Sequence, residues 1–254
     1  MTENSRIFFA MGRPLLTILL LAALAIAGTF LFVPFFPQNP DYHHFADTRT
    51  IAGIPNFWNV VSNLPFLLIG LLSLATIRRN APATLFGVGL VLTAIGSSLY
   101  HLAPNDGTLL YDRIGIVIAV VPLVAMLAEE HEIATLVIAE LIGIGSIVWW
   151  EANGDLRLYG IVQFLPGLLI LALRRWKLAP VLVFYAIAKA CELYDRQIFD
   201  ALQFVSGHTL KHVAAAMSTF AIWWWLRERQ PIALVESSPP GSGVRSSPAG
   251  ETTT

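Results

Sequence analysis

The sequence predicts an all-α fold, a polytopic transmembrane helical bundle with a seven-helix core plus one extra N-terminal helix. Three observations predict it. Of the 254 residues, 56% are hydrophobic and only 13% charged, about half the charged share of an ordinary soluble domain. The apolar residues gather into eight runs near the length of about 20 residues that a helix needs to cross a bilayer. The runs lack the period-two alternation of barrel strands, and lipid admits only helices or closed barrels as spanning structures.

In chain order the spans are expected at 14–36, 57–77, 82–102, 109–128, 132–150, 157–173, 179–199 and 207–226. Arg6 and Arg13 ahead of an apolar run resemble a signal peptide, with "ALAIAG" supplying small residues for cleavage. The uncharged stretch runs from Pro14 to Pro40, however, far beyond a signal core of about 7–15 residues. Residues 1–36 therefore read as a retained extra helix, 37–56 as an outer loop and 57–226 as the seven-helix bundle. Residues 227–254 end in "ESSPPGSGVRSSPAGETTT", too poor in apolar groups to bury a core, and read as a disordered cytoplasmic tail.

Basic residues set the orientation. Arg6 and Arg13, Arg78–Arg79, Arg174, Arg175 and Lys177, and Arg227 and Arg229 fall at alternate helix ends, on the side shared with the N-terminus. The positive-inside rule then makes both termini cytoplasmic in a multi-pass integral membrane protein. A net charge of −1 offers no basic field for nucleic acid. The single cysteine, Cys191, excludes an intrachain disulfide and a Cys-rich zinc cluster. Nothing indicates an obligate protein partner.

Ionisable groups inside spans are costly and mark candidate sites. His208 and His212 stand at i and i+4 at the start of the eighth span, on one helical face, with Cβ atoms about 6 Å apart. The segment is not HExxH, so the spacing alone is a weak metal signal. Ser97 and His101 are likewise i and i+4 at the end of the third span, and Asp112 opens the fourth. Taken singly, His101 also reads as an interfacial histidine and Asp112 as the helix-start partner of Arg113. Topology joins them, because all five residues fall near the outer face. Three neutral imidazoles that leave one position open describe a catalytic zinc site, and the absence of thiolate keeps zinc the leading metal.

Other polar groups read more plainly. In "AKACELYD", Lys189 and Glu192 at i and i+3 are expected to neutralise each other, while Asp195, one turn nearer the outer face, is free to meet a lipid headgroup. Glu140 is expected to pair with Lys189 or stay protonated. Trp149, Trp150 and Trp223–Trp225 need only the aromatic-belt explanation.

Together "FWNVVSNLPFLLIG" (57–70), Ser97-x-x-x-His101, Asp112 and His208-x-x-x-His212 resemble the alkaline ceramidases. These are members of a wider superfamily with the progestin and adipoQ receptors and GPI-remodelling lipases. The resemblance covers about residues 41–226 and implies seven spans beginning at "FWN". It further implies zinc on His101, His208 and His212, with Ser97 and Asp112 beside its water. It also implies calcium bound just before "FWN", where Asp41 and Asp47 are suitable oxygen ligands. Asn56 stands where the family typically has a glutamate, which weakens that site, and an ordinary solvated loop is the competing reading. His43 and His44 read as interfacial.

The implied chemistry is zinc-dependent cleavage of the N-acyl bond of a ceramide-like membrane lipid near the outer or lumenal face. Asp112 would move the proton and Ser97 would donate to the developing oxyanion. Two other readings share the same residues: a receptor-like protein with structural zinc, and an ester-cleaving lipase of the same superfamily.

Overall fold

The computed structural model describes residues 23–77, 80–129 and 132–230. The expected start of the first span and residues 231–254 of the expected 227–254 tail lie outside the described residues, whereas Arg227 and Glu228 belong to the last helix. Among the described residues the fold is all-helical, without a strand. Its helices are α1 (Ala23–Phe32), α2 (Phe57–Val61), α3 (Leu64–Thr76), α4 (Ala81–Leu102), α5 (Asp106–Leu127), α6 (Ile133–Asn153), α7 (Arg157–Ala172), α8 (Ala179–Leu193), α9 (Asp195–Leu202) and α10 (Gly207–Glu228).

Among the described residues, four segments are long and apolar enough to cross a membrane: Phe57–Thr76, Ala81–Leu102, Asp106–Leu127 and Ile133–Asn153. The first is hinged between α2 and α3, where Ser62 and Asn63 precede Pro65. Proline brings no amide hydrogen, so the ladder restarts there. The expected 179–199 span is not one helix. It breaks at Tyr194, and Asp195 begins the amphipathic α9, because its carboxylate is needed elsewhere, as described below.

Helix starts are fixed by side chains that accept otherwise orphaned amides. Asn80 accepts from Ala83 N at 2.8 Å to start α4, and Asn105 forms a capping box with Thr108 to start α5. α3 packs on α4, α4 on α5, α5 on α6 and α7, α8 on α10, and α10 closes back on α3. The tightest seam is α4–α5. A Cβ on Gly96 would stand 2.3 Å from the Tyr111 carbonyl oxygen, so only glycine admits this approach. That seam sets Ser97 and His101 of α4 against Asp112 of α5.

Residues 33–56 form a strap across the end of the bundle where α4 stops and α5 begins. Leu156 N donates to Phe36 O at 2.8 Å, Arg157 donates to Val33 O at 2.9 Å, and Pro37 bridges Asp155. Under the strap, Tyr100, Leu109, Val117, Ile147 and Trp150 pack around Phe45. Trp150 is therefore not a belt residue: it is 2% exposed and lies beneath Arg113. A second apolar core, with Phe86, Leu90, Leu127, Ile170 and Leu178, fills the opposite half.

Candidate metal centre

Ser206 caps α10 by accepting from Thr209 N at 3.2 Å. The residue after it must be glycine, since a Cβ on Gly207 would lie 2.2 Å from the Cys191 carbonyl oxygen. This contact presses the start of α10 onto the α8–α9 junction. Asp195 then accepts from His208 N at 2.7 Å and from Ala46 N at 2.9 Å. The carboxylate expected to be open to a headgroup instead ties three segments together, which is also why α8 stops where it does.

Placed this way, His208 and His212 meet His101 from the end of α4. The three rings are buried, and each pair of ring centroids is 4.9 Å apart. One ring nitrogen from each lies within 4.8 Å of the others, and among the described residues this is the group of three that suits a metal ion. His101 Nε2 and His212 Nε2 are 3.3 Å apart. Two ligands of a tetrahedral zinc, each about 2.0–2.1 Å from the ion, stand about 3.3–3.4 Å from each other.

The hydrogen bonds around the rings support the same orientation. Ser62 donates its hydroxyl hydrogen to Asn59 O at 3.0 Å, so it must accept from His212 Nδ1–H at 2.7 Å. That tautomer turns the lone pair of Nε2 toward the other rings. His208 Nε2 is buried without a hydrogen-bond partner. An orphaned imidazole nitrogen beside two opposed ones is the arrangement that a metal satisfies, and the neutral all-nitrogen donor set is consistent with zinc.

Asn59, fully buried, organises this corner. Its carbonyl accepts from Ser62 and from Asn63, and its side chain accepts from Thr209 at 2.8 Å. Phe45 of the strap covers the centre, its ring 4.7 Å from both His101 and His208. Ser97 is buried one turn before His101 and lies beside the Asp112 carboxylate. Asp112 stays outside the ligand group and within electrostatic reach of Lys211, Arg113 and Glu192. It forms no ion pair with Arg113, which turns instead to Gln38 and Trp150.

Glu192 pairs with Lys189 at 2.8 Å, as the i, i+3 spacing predicts, and also with Lys211 at 2.5 Å. Glu140 consequently does not meet Lys189. Both its carboxyl oxygens are buried without a partner.

The residues implied for calcium are not gathered. Asp41 is exposed and sits 3.2 Å from His44. Asp47 is gripped by Arg49 through contacts of 2.8 and 2.6 Å, which hold its carboxyl below the usual range. Asn56, in the left-handed region at φ 47°, donates its amide to the His101 carbonyl at 2.8 Å. It thereby fixes the end of α4 and takes no part in an oxygen cage. His43 bridges Tyr100 and Asp106, and neither His43 nor His44 joins the metal group.

Sequence reasoning missed Ser62, Asn59, Phe45 and Lys211 as parts of this centre. The signal for the first two was present, because Asn59, Ser62 and Asn63 interrupt an apolar run at membrane depth. No family model, no curated protein and no solved structure matches the chain.

Proposed function

We propose that this chain is a seven-span membrane amidohydrolase with an added N-terminal helix. In this reading it holds zinc on His101, His208 and His212 and cleaves the N-acyl bond of a ceramide-like lipid. The observation that carries the proposal is the buried group of three neutral histidines with a carboxylate and a serine beside it. Three protein ligands with a further position open are the pattern of a catalytic zinc site, whereas structural sites are closed by four.

Bound zinc supplies an activated water near neutral pH and polarises the amide carbonyl. The chain's own residues do the rest. Asp112 accepts the proton of the attacking water and passes it to the departing amine, which must be protonated to leave. Ser97 donates to the carbonyl oxygen as negative charge gathers there. Ser62 and Asn59 hold His212 in one tautomer, and Phe45 keeps bulk water from the rings. The site then belongs at the outer or lumenal face, with both termini cytoplasmic.

The test is lipid product analysis on purified, zinc-replete protein, with ceramide and a phospholipid offered side by side. Fatty acid and sphingoid base from ceramide are expected. Release of fatty acid from the phospholipid alone makes the chain an esterase, and no product from either favours the receptor-like reading. Asp112→Asn is expected to lower ceramide cleavage by about 10²–10⁴-fold while zinc content is retained. Loss of zinc in that variant assigns Asp112 to the metal and removes its proton-transfer role.

A further inference from the structure

Arg113 is buried to 4% exposure at the outer end of α5, yet it has no acidic partner among the described residues. Its guanidinium carbon lies 3.7 Å from the centre of the Trp150 ring and 4.9 Å from that of Tyr159. Nη2 donates to the neutral amide oxygen of Gln38 at 2.5 Å, and Nη1 is buried with nothing to donate to. Two other arginines at this end contrast with it. Arg49 and Arg157 each grip a carboxylate, Asp47 and Asp155.

A buried guanidinium with no carboxylate in salt-bridge contact is expensive, and aromatic faces and the nearby Asp112 charge offset only part of that cost. Such a group inside a membrane bundle is a ligand site before it is a structural one. Its position gives the ligand's place. Arg113 directly follows Asp112 and is within electrostatic reach of Asp112, Tyr42 and Tyr100. Tyr100 in turn lies 4.9 Å, ring to ring, from His101, and Tyr42 hydrogen-bonds Glu192. The unpartnered nitrogen is thus linked to the three histidines through Asp112 and Tyr100.

We infer that Arg113 anchors an anionic oxygen group, of the carboxylate or phosphate kind, carried by the headgroup half of the lipid ligand. Guanidinium is the side chain that matches such groups geometrically. Resting on the amidohydrolase reading, this adds to the ceramide-like class those N-acyl lipids whose amine half bears an acid, with an N-acyl amino acid as the simplest probe. The acyl carbonyl then meets the histidines while the acid meets Arg113.

The experiment measures binding, so its failure is separable from a failure of the hydrolase reading. Full-length, zinc-replete protein in uncharged-lipid nanodiscs is titrated with N-palmitoylglycine, with uncharged N-palmitoylethanolamine and with inorganic phosphate, using tryptophan fluorescence. N-palmitoylglycine is expected to bind at least about tenfold tighter than the ethanolamine amide, and phosphate alone far more weakly. Arg113→Gln should bring the two amides close to equal affinity, whereas Gln38→Leu, which removes only the strap contact, should leave the preference in place. Equal affinities in the parent protein overturn the proposal whether or not any variant folds. Phosphate binding as tight as N-palmitoylglycine reassigns the site to a free anion and overturns the headgroup assignment. A preference lost equally in Gln38→Leu makes Arg113 a strap anchor and overturns it as well.

Discussion

Ser62 decides which nitrogen of His212 faces the other two rings. Its hydroxyl has one hydrogen, already given to Asn59 O, so it presents a lone pair to Nδ1 and leaves Nε2 bare. Ser62→Ala removes that lock without touching a ligand atom. Partners of this kind typically change metal affinity by about 10–100-fold. Zinc affinity measured by chelator competition should therefore weaken by that order in Ser62→Ala and fall far more in His212→Ala. An unchanged affinity in Ser62→Ala would show that the tautomer is set elsewhere. The three histidines that meet were legible in the sequence, because HxxxH is a local spacing and alternating spans bring a distant histidine to the same face. Ser62 was not, because its role depends on a contact between residues 150 positions apart, which no local pattern encodes. Asn56 failed for the opposite reason. Its neighbourhood to Asp41 and Asp47 in sequence suggested a shared cation, while its left-handed backbone turns the amide to the end of α4.

The strap rests at one end on the α6–α7 loop, which an ion pair within that loop organises and whose Arg157 also donates to Val33 O. Asp155 is buried and bonded by Arg157 through three nitrogen contacts of 2.8 to 3.1 Å, which push its carboxyl down to about 2. An unfolded carboxylate titrates near 3.9. Because the folded value is the lower one, the pair contributes stability that is present above about pH 4 and is lost as pH falls toward 2. Amide exchange at Gln38 and Leu156, whose hydrogens bond Gly154 O and Phe36 O, reads this directly. In metal-free protein, with intrinsic rates corrected, protection at these two amides should drop between about pH 4 and 2. In Asp155→Asn it should already be low at pH 6 and stay flat. Protection that is the same in parent and variant across this range would mean that apolar packing, not the ion pair, seats the strap. At this scale the helices α4 to α7 fell close to their expected bounds, since capping residues such as Asn80 and Asn105 announce themselves in sequence. The break at Tyr194 did not, because the apolar run continues through it and the cause, Asp195 reaching Ala46 and His208 N, is tertiary.

The metal group also constrains the whole molecule. His101 closes α4 and His208 opens α10, and their rings touch, so the end of α4 and the start of α10 lie at the same face. An even number of passes must separate them, and the intervening long elements are α5, α6, α7 and α8. The last two have 16 and 15 residues, about 24 and 22 Å of helix, less than the hydrocarbon thickness of about 30 Å. Hydropathy alone would discard them, yet removing either one would put His208 at the wrong end. Parity therefore requires that the two count together, and in the proposed seven-span reading both are passes, with local thinning or flanking residues taking up the mismatch. The far end gathers the basic groups: Arg175 and Arg229 approach Glu129, and Arg227 donates to Thr76 O. The positive-inside rule predicts this end to be cytoplasmic, as the proposed topology requires. On a Cys191→Ser background, a cysteine at position 106 should be labelled by an impermeant maleimide from the outside. A cysteine replacing Ser246 should be labelled only after permeabilisation. Position 106 labelled solely from the cytoplasmic side inverts the orientation. Both positions labelled from one side would mean an even number of passes between them, whereas the contact between His101 and His208 fixes an even number before α10 and hence an odd number once α10 is added.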